Sequence, residues 1–137
     1  MANQKEILKN DLVHIWLDQE KGLLGIDWSE ECGNILDKAY RKEISKINNV
    51  VVEQDPARLL INLKKCDYFV DPDNYSWYQQ TLYSLFDNTG IRKLAFVVPR
   101  NMFVHAQLEA HRSSVEAENI ELQYFRDWDK AYMWLRS

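Results

Sequence analysis

Short apolar runs that alternate with long amphipathic stretches constrain this chain more than any other feature. Residues 59–61 and 94–98 are almost continuously apolar, which is typical of strands that are covered on both faces. Between these runs the apolar residues recur at helical spacing. Strands that alternate with helices predict parallel pairing with right-handed crossovers, and therefore an α/β fold.

A hairpin is predicted ahead of the alternating part. Residues 12–17 and 23–28 each place alternate apolar side chains on one face, and the polar turn between them ends at Gly22, which can adopt a positive φ. Three further strands are predicted at 58–63, 93–98 and 120–125.

Four helices are predicted to connect and follow these strands. The first is capped by Ser29 and the last by Asp127, while the two between them run from the turn and cap cluster 71–74 to about 88, and over 102–118. The pattern leaves the end of the first helix open, between a stop at Asn48-Asn49 and a continuation through 50–52. We favour the continuation, because a separate strand would need partners of its own.

The predicted order is therefore β-β-α-β-α-β-α-β-α, in one mixed five-stranded sheet with four helices. The 137 residues form a single predicted domain. Its core spans about 12–136, and residues 1–10 are an N-terminal extension.

Composition excludes several classes of function. The net charge of −4 has the wrong sign for a generic binder of the phosphate backbone, so no nucleic-acid partner is expected. No apolar run approaches the roughly 18 residues that a membrane span needs. The first residues do not form an export signal, so we expect a cytoplasmic location, where Cys32 and Cys66 would be reduced.

No catalytic or metal-binding motif is found. Neither cysteine has a histidine at ligand spacing, His105 and His111 are too far apart on their helix to share a metal, and glycine-rich phosphate loops are absent. A Cys66 nucleophile with His14 as base is conceivable but lacks a third orienting group. We therefore predict no catalytic residues, no metal and no cofactor. An enzymatic function ranks third, after the two binding functions given below.

Aromatic residues are more numerous than one small core requires. They either pack beneath helices on both faces of the sheet or line a groove for a partner or an apolar ligand. The candidate binding residues among them are Trp16, Tyr68, Tyr75, Trp77 and Tyr78.

Three features match the pattern of a known family. They are the order of elements, the apolar strands 59–63 and 93–98, and above all the closing segment. Residues 124–135 read YFRDWDKAYMWL, which looks like a closing F-x-D-x-x-x-A-x-x-W-L. In these pieces the chain, over about 12–136, resembles the SpoIIAA-like branch of the STAS (anti-sigma-factor antagonist) family, whose fold is shared with CRAL-TRIO lipid-transfer domains. The resemblance implies a non-enzymatic regulatory or protein-interaction module, or alternatively a small carrier of a lipid-like apolar ligand.

One departure from that family concerns its phosphorylated serine. In the antagonists this serine follows an aspartate after the third strand, whereas here Asp71 is followed by Pro72. Ser76 is the nearest serine or threonine, but Asp71 and Asp73 would repel a phosphate there. The resemblance places the working surface on the segment 67–76 and the helix that follows it, which adds Asp71, Asp73 and Ser76 to the candidate binding residues. A homodimer through an edge strand or an aromatic patch is left open.

Overall fold

The structure, a computed structural model, describes residues 4–34, 36–66, 89–99 and 120–137, together with residues 76, 77, 80, 81, 85 and 109. These residues contain six strands: β1 (Gln4–Lys9), β2 (Val13–Asp18), β3 (Leu23–Trp28), β4 (Arg58–Asn62), β5 (Lys93–Val97) and β6 (Glu121–Phe125). A 3-10 helix covers Glu30–Asn34. The α-helices are α1 (Asp37–Gln54) and α2 (Trp128–Arg136).

All six strands form one mixed sheet in the order β1-β2-β3-β4-β5-β6. The first three strands are antiparallel, and β3 to β6 run parallel to one another. The predicted hairpin is confirmed as β2 and β3, with Gly22 at a φ of 58° in the turn. The α/β class and the mixed sheet follow from this topology.

The predicted number of five strands is wrong, because the N-terminal extension forms β1. The two apolar residues of this strand, Ile7 and Leu8, are adjacent and do not alternate, so the sequence carries no strand signal. A bulge between Glu6 and Leu8 shifts the register, and both apolar side chains pack against the core. A bulge thus accommodates a pattern that a regular strand could not.

The described residues contain two α-helices where four were predicted for the chain. The predicted helices ending near 88 and covering 102–118 fall largely outside these residues, although Trp77 and Glu109, which belong to them, are helical. The closing helix is confirmed, with the Asp127 carboxylate accepting the N–H of Asp129 at 3.0 Å.

The predicted end of the first helix is confirmed, and its predicted start is wrong. It continues through 50–52 to Gln54 and stops at Asp55, which adopts a left-handed φ of 46°. The Ser29 hydroxyl accepts the N–H of Glu31 at 3.3 Å, so it caps the 3-10 helix, and α1 begins eight residues later. Leu36, the residue before α1, is 79% exposed.

The two faces of the sheet carry separate apolar cores. The face that α1 covers, here called the α1 face, holds alternate residues of β2 to β6 together with Tyr40, Ile47 and Val51. The opposite face, called the α2 face, packs against Ala131 and Leu135. Its sheet residues are Trp16, Leu23, Leu60, Ala95 and Val97.

Cys32 and Cys66 form a disulfide, which corrects the expectation of reduced thiols. Their Cα atoms are 5.7 Å apart, although they are separated by 34 residues in the sequence. Trp28 ends β3 and Asn62 ends β4, and each cysteine follows four residues later. Because parallel strands end at the same edge of a sheet, equal offsets bring the two thiols together.

We expect the purified protein to show no free thiol when it is denatured without a reductant and titrated with Ellman's reagent. Reduction removes the cross-link from a 34-residue loop and should lower the free energy of unfolding by about 3–4 kcal/mol. A variant with Cys32→Ala and Cys66→Ala is the control, since reductant should not change its urea midpoint. Two titratable thiols in the unreduced protein would contradict the disulfide.

Candidate functional site

Trp16 lies in the core of the α2 face and is 2% exposed. Its ring covers Gly25 on the neighbouring strand, where any Cβ atom would overlap the indole. On its other side the ring meets Trp128 at 5.9 Å and Tyr132 at 6.0 Å between centroids. Trp16 therefore joins β2, β3 and α2 and presents no surface to a partner in this conformation.

A polar row crosses the α2 face where the parallel strands end. His14, Asp27 and Asn62 occupy matching positions on β2, β3 and β4. Asp27 accepts at both carboxylate oxygens, from the Trp16 indole N–H at 3.0 Å and from the Asn62 amide at 3.2 Å. His14 Nε2 lies 3.2 Å from Glu6 Oε1 on the edge strand. These contacts hold the strand ends in register.

Sequence reasoning overlooked Asp27 and Asn62. Asp27 is the penultimate residue of β3 and Asn62 is the last residue of β4, and both are polar residues in largely apolar strands. Their position at the carboxyl end of a parallel strand was the available signal, since such strand ends are the usual position of ligand sites in open α/β sheets. The Trp16 and Asn62 donors already occupy the Asp27 carboxylate, which makes this row a structural link between β2, β3 and β4.

Asp18 is buried at the end of β2 and bonds to α2. The Tyr132 hydroxyl donates to Asp18 Oδ2 at 2.7 Å. Burial, together with the hydrogen bond and the negative charge of Asp18, raises the pKa of Tyr132 to about 12, and the nearby Arg136 opposes this rise. The neutral Tyr132 phenol therefore donates to the Asp18 carboxylate, and this hydrogen bond connects the hairpin turn to α2.

Ser76 and Trp77 lie beside α1, on the other side of the sheet from Trp16. Ser76 is exposed and Trp77 is half-buried. The Arg41 guanidinium lies over the Trp77 ring, 4.9 Å from its centroid. The Thr81 hydroxyl donates to the Trp77 carbonyl at 2.8 Å. We call Ser76, Trp77 and Arg41 the Trp77 surface.

Five other candidate binding residues lie outside the described residues: Tyr68, Asp71, Asp73, Tyr75 and Tyr78. Of the predicted site, the structure thus brings Ser76 and Trp77 together and separates both from Trp16.

Within the described part of the chain, no group of three or more His, Cys, Asp or Glu side chains is arranged to hold a metal ion. In the same residues no helix has the length and apolar content to cross a membrane.

We expect Gly25→Ala to lower the free energy of unfolding by at least about 1–3 kcal/mol, because the new methyl group overlaps the Trp16 ring. Gly90→Ala is the matched control, since its Cβ would meet only ordinary contacts at 3.7 Å. When Trp16 is also replaced by alanine, Gly25→Ala should lower the free energy of unfolding much less. Equal urea midpoints for wild type and Gly25→Ala would contradict this packing.

Tyr132 should make stability fall at alkaline pH. Its pKa is about 12 in the folded protein and about 10 when unfolded, so its stabilising effect is complete below pH 10 and disappears as the pH rises towards 12. The loss amounts to about 2–3 kcal/mol. Urea unfolding at pH 8 and above pH 10 should show the wild type losing this stability relative to Tyr132→Phe. A difference between the two proteins that is independent of pH would contradict the shift.

No protein-family model matches the chain. No curated protein and no solved structure matches it either. The resemblance to SpoIIAA-like STAS domains therefore stays a prediction.

Proposed function

We propose that this chain is a non-enzymatic regulatory or protein-interaction module that binds a protein partner through the Trp77 surface. The observation that supports this proposal is the Arg41 guanidinium held 4.9 Å above the ring of a half-buried tryptophan. Tryptophan and arginine are the residue types that most often dominate the energy of protein interfaces.

The Trp77 surface is organised before any partner arrives. Arg41 belongs to the long helix α1, which is anchored in the α1 face by Tyr40 and Ile47. The cation on the ring and the Thr81 hydrogen bond restrict the segment that carries Trp77. A preorganised aromatic side chain loses little conformational entropy on binding, so more of its contact energy contributes to affinity.

The resemblance to STAS domains supports the same location. It places the working surface on the segment 67–76 and the following helix, and Ser76 and Trp77 belong to that region. Regulation by phosphorylation at the usual position is not part of the proposal, because Pro72 occupies the place of the acceptor.

The location in the cell stays a prediction. The cytoplasm was expected from the sequence, but the Cys32–Cys66 disulfide does not support it, because such bonds persist mainly in oxidising compartments. A partner should therefore be sought in extracts prepared without reductant.

Two tryptophans provide a matched test. Trp77 has Arg41 over its ring, and Trp134, on α2, has the Lys93 ammonium 5.0 Å from its ring centroid. Both are half-buried. Tagged wild type should enrich a specific protein from the native extract, Trp77→Ala should lower its affinity about tenfold or more, and Trp134→Ala should leave it unchanged.

Two results would count against the proposal. One is equal retention of the partner by wild type and Trp77→Ala, with both folded by circular dichroism. The other is a lipid mass bound to the purified protein in native mass spectrometry with no enriched protein, which would favour the carrier of an apolar ligand.

A further inference from the structure

β1 is an outer strand of the sheet and carries a bulge. Among the described residues it pairs with β2 alone, so its other side presents backbone N–H and C=O groups that none of the described strands binds. Ile7 is the extra residue of the bulge and has no register partner on β2. A bulge and exposed lysines, here Lys5 and Lys9, discourage pairing of an edge with an arbitrary strand.

The bulge also determines which side chains of β1 share a face of the sheet. Glu6 and Lys9 lie opposite two residues of the α2 face, Trp16 and His14. Because directly paired residues point to the same side, Glu6 and Lys9 also lie on the α2 face. Ile7 and Leu8 are half-buried and pack against the core of the α1 face. Residues 6–9 therefore present two opposite charges on one face and two apolar side chains on the other.

We propose that β1 pairs antiparallel with β1 of a second copy of this chain, across a two-fold axis between Ile7 and Leu8. In this register Glu6 of each copy lies opposite Lys9 of the other copy, which forms two ion pairs on the α2 face. Ile7 of each copy lies opposite Leu8 of the other, which extends the core of the α1 face across the interface. The extra residue of one strand meets the extra residue of its copy, so two bulged strands match where a regular strand does not.

The faces of the side chains select this register. A shift of one residue pairs Glu6 with Leu8 in one direction and Ile7 with Lys9 in the other, and each of these pairs joins side chains on opposite faces. Shifts of two residues fail in the same way, since they pair Glu6 with Ile7 or Leu8 with Lys9. The register that matches the faces is also the one that places opposite charges together.

Glu6 and Lys9 are accessible for these ion pairs. The Glu6 side chain is 60% exposed, and its Oε1 atom lies 3.2 Å from His14 Nε2. A carboxylate has a second oxygen that accepts hydrogen bonds, so Glu6 can contact His14 and a lysine of the other copy together. Lys9 is exposed at the end of the strand.

The expected dimer is weak and closed. An interface made by one short strand buries less than about 1,200 Å², which is the range of transient complexes, so the dimer should dissociate on dilution. Pairing uses the β1 edge of both copies, and assembly therefore stops at two chains. The axis is perpendicular to the sheet, so both copies carry α1 on the same side and the dimer presents two Trp77 surfaces to a partner.

Sedimentation velocity tests the proposal through the two charges. Wild type should pass from monomer to dimer as its concentration is raised. Glu6→Lys and Lys9→Glu each place like charges opposite one another twice, and each should weaken dimerisation about tenfold or more. The double variant Glu6→Lys with Lys9→Glu restores opposite charges and should dimerise like wild type. An equimolar mixture of the two single variants should also dimerise, because each supplies the charge that the other lacks.

The controls separate the interface from the stability of β1. Lys130→Glu reverses another exposed lysine, on α2, and lowers the net charge as much as Lys9→Glu does, so it should leave dimerisation unchanged. Glu6→Lys also removes the contact with His14, but the double variant lacks that contact too. Recovery of the dimer in the double variant therefore shows that the single change acted at the interface.

Three results would overturn the inference. The first is a wild type that stays monomeric at every concentration. The second is a dimer that neither single variant weakens, or that the double variant and the mixture do not restore, since another surface or register would then be involved. The third is growth beyond the dimer, because pairing at β1 leaves that edge closed.

Discussion

The close contact between the Trp16 indole and Gly25 is the constraint on which the α2 face depends. Only a residue without a Cβ atom lets the ring lie flat on the neighbouring strand. From this position the indole N–H reaches Asp27, and the ring packs on Trp128 and Tyr132. One side chain thus connects the hairpin, the start of the parallel strands and the closing helix.

Local pattern was sufficient to predict the parts of the fold that local physics determines. The hairpin, the apolar strands β4 and β5 and the cap at Asp127 each follow from periodicity or from turn chemistry within a few residues. β1 was not predicted, because a bulge places the adjacent Ile7 and Leu8 against one core. A bulge cannot be predicted from hydrophobic periodicity, because it depends on the shape of the neighbouring strand.

Contacts between distant residues could be found only from the topology. Cys32 and Cys66 each follow the end of their strand, β3 or β4, by four residues, and Asp27 and Asn62 are direct register partners on the same two parallel strands. The sequence contains the offsets but not the knowledge that β3 and β4 are neighbours. The candidate site was also only partly predictable. Ser76 and Trp77 could be proposed from the family resemblance, whereas the position of the Arg41 guanidinium over the Trp77 ring could be found only from the structure.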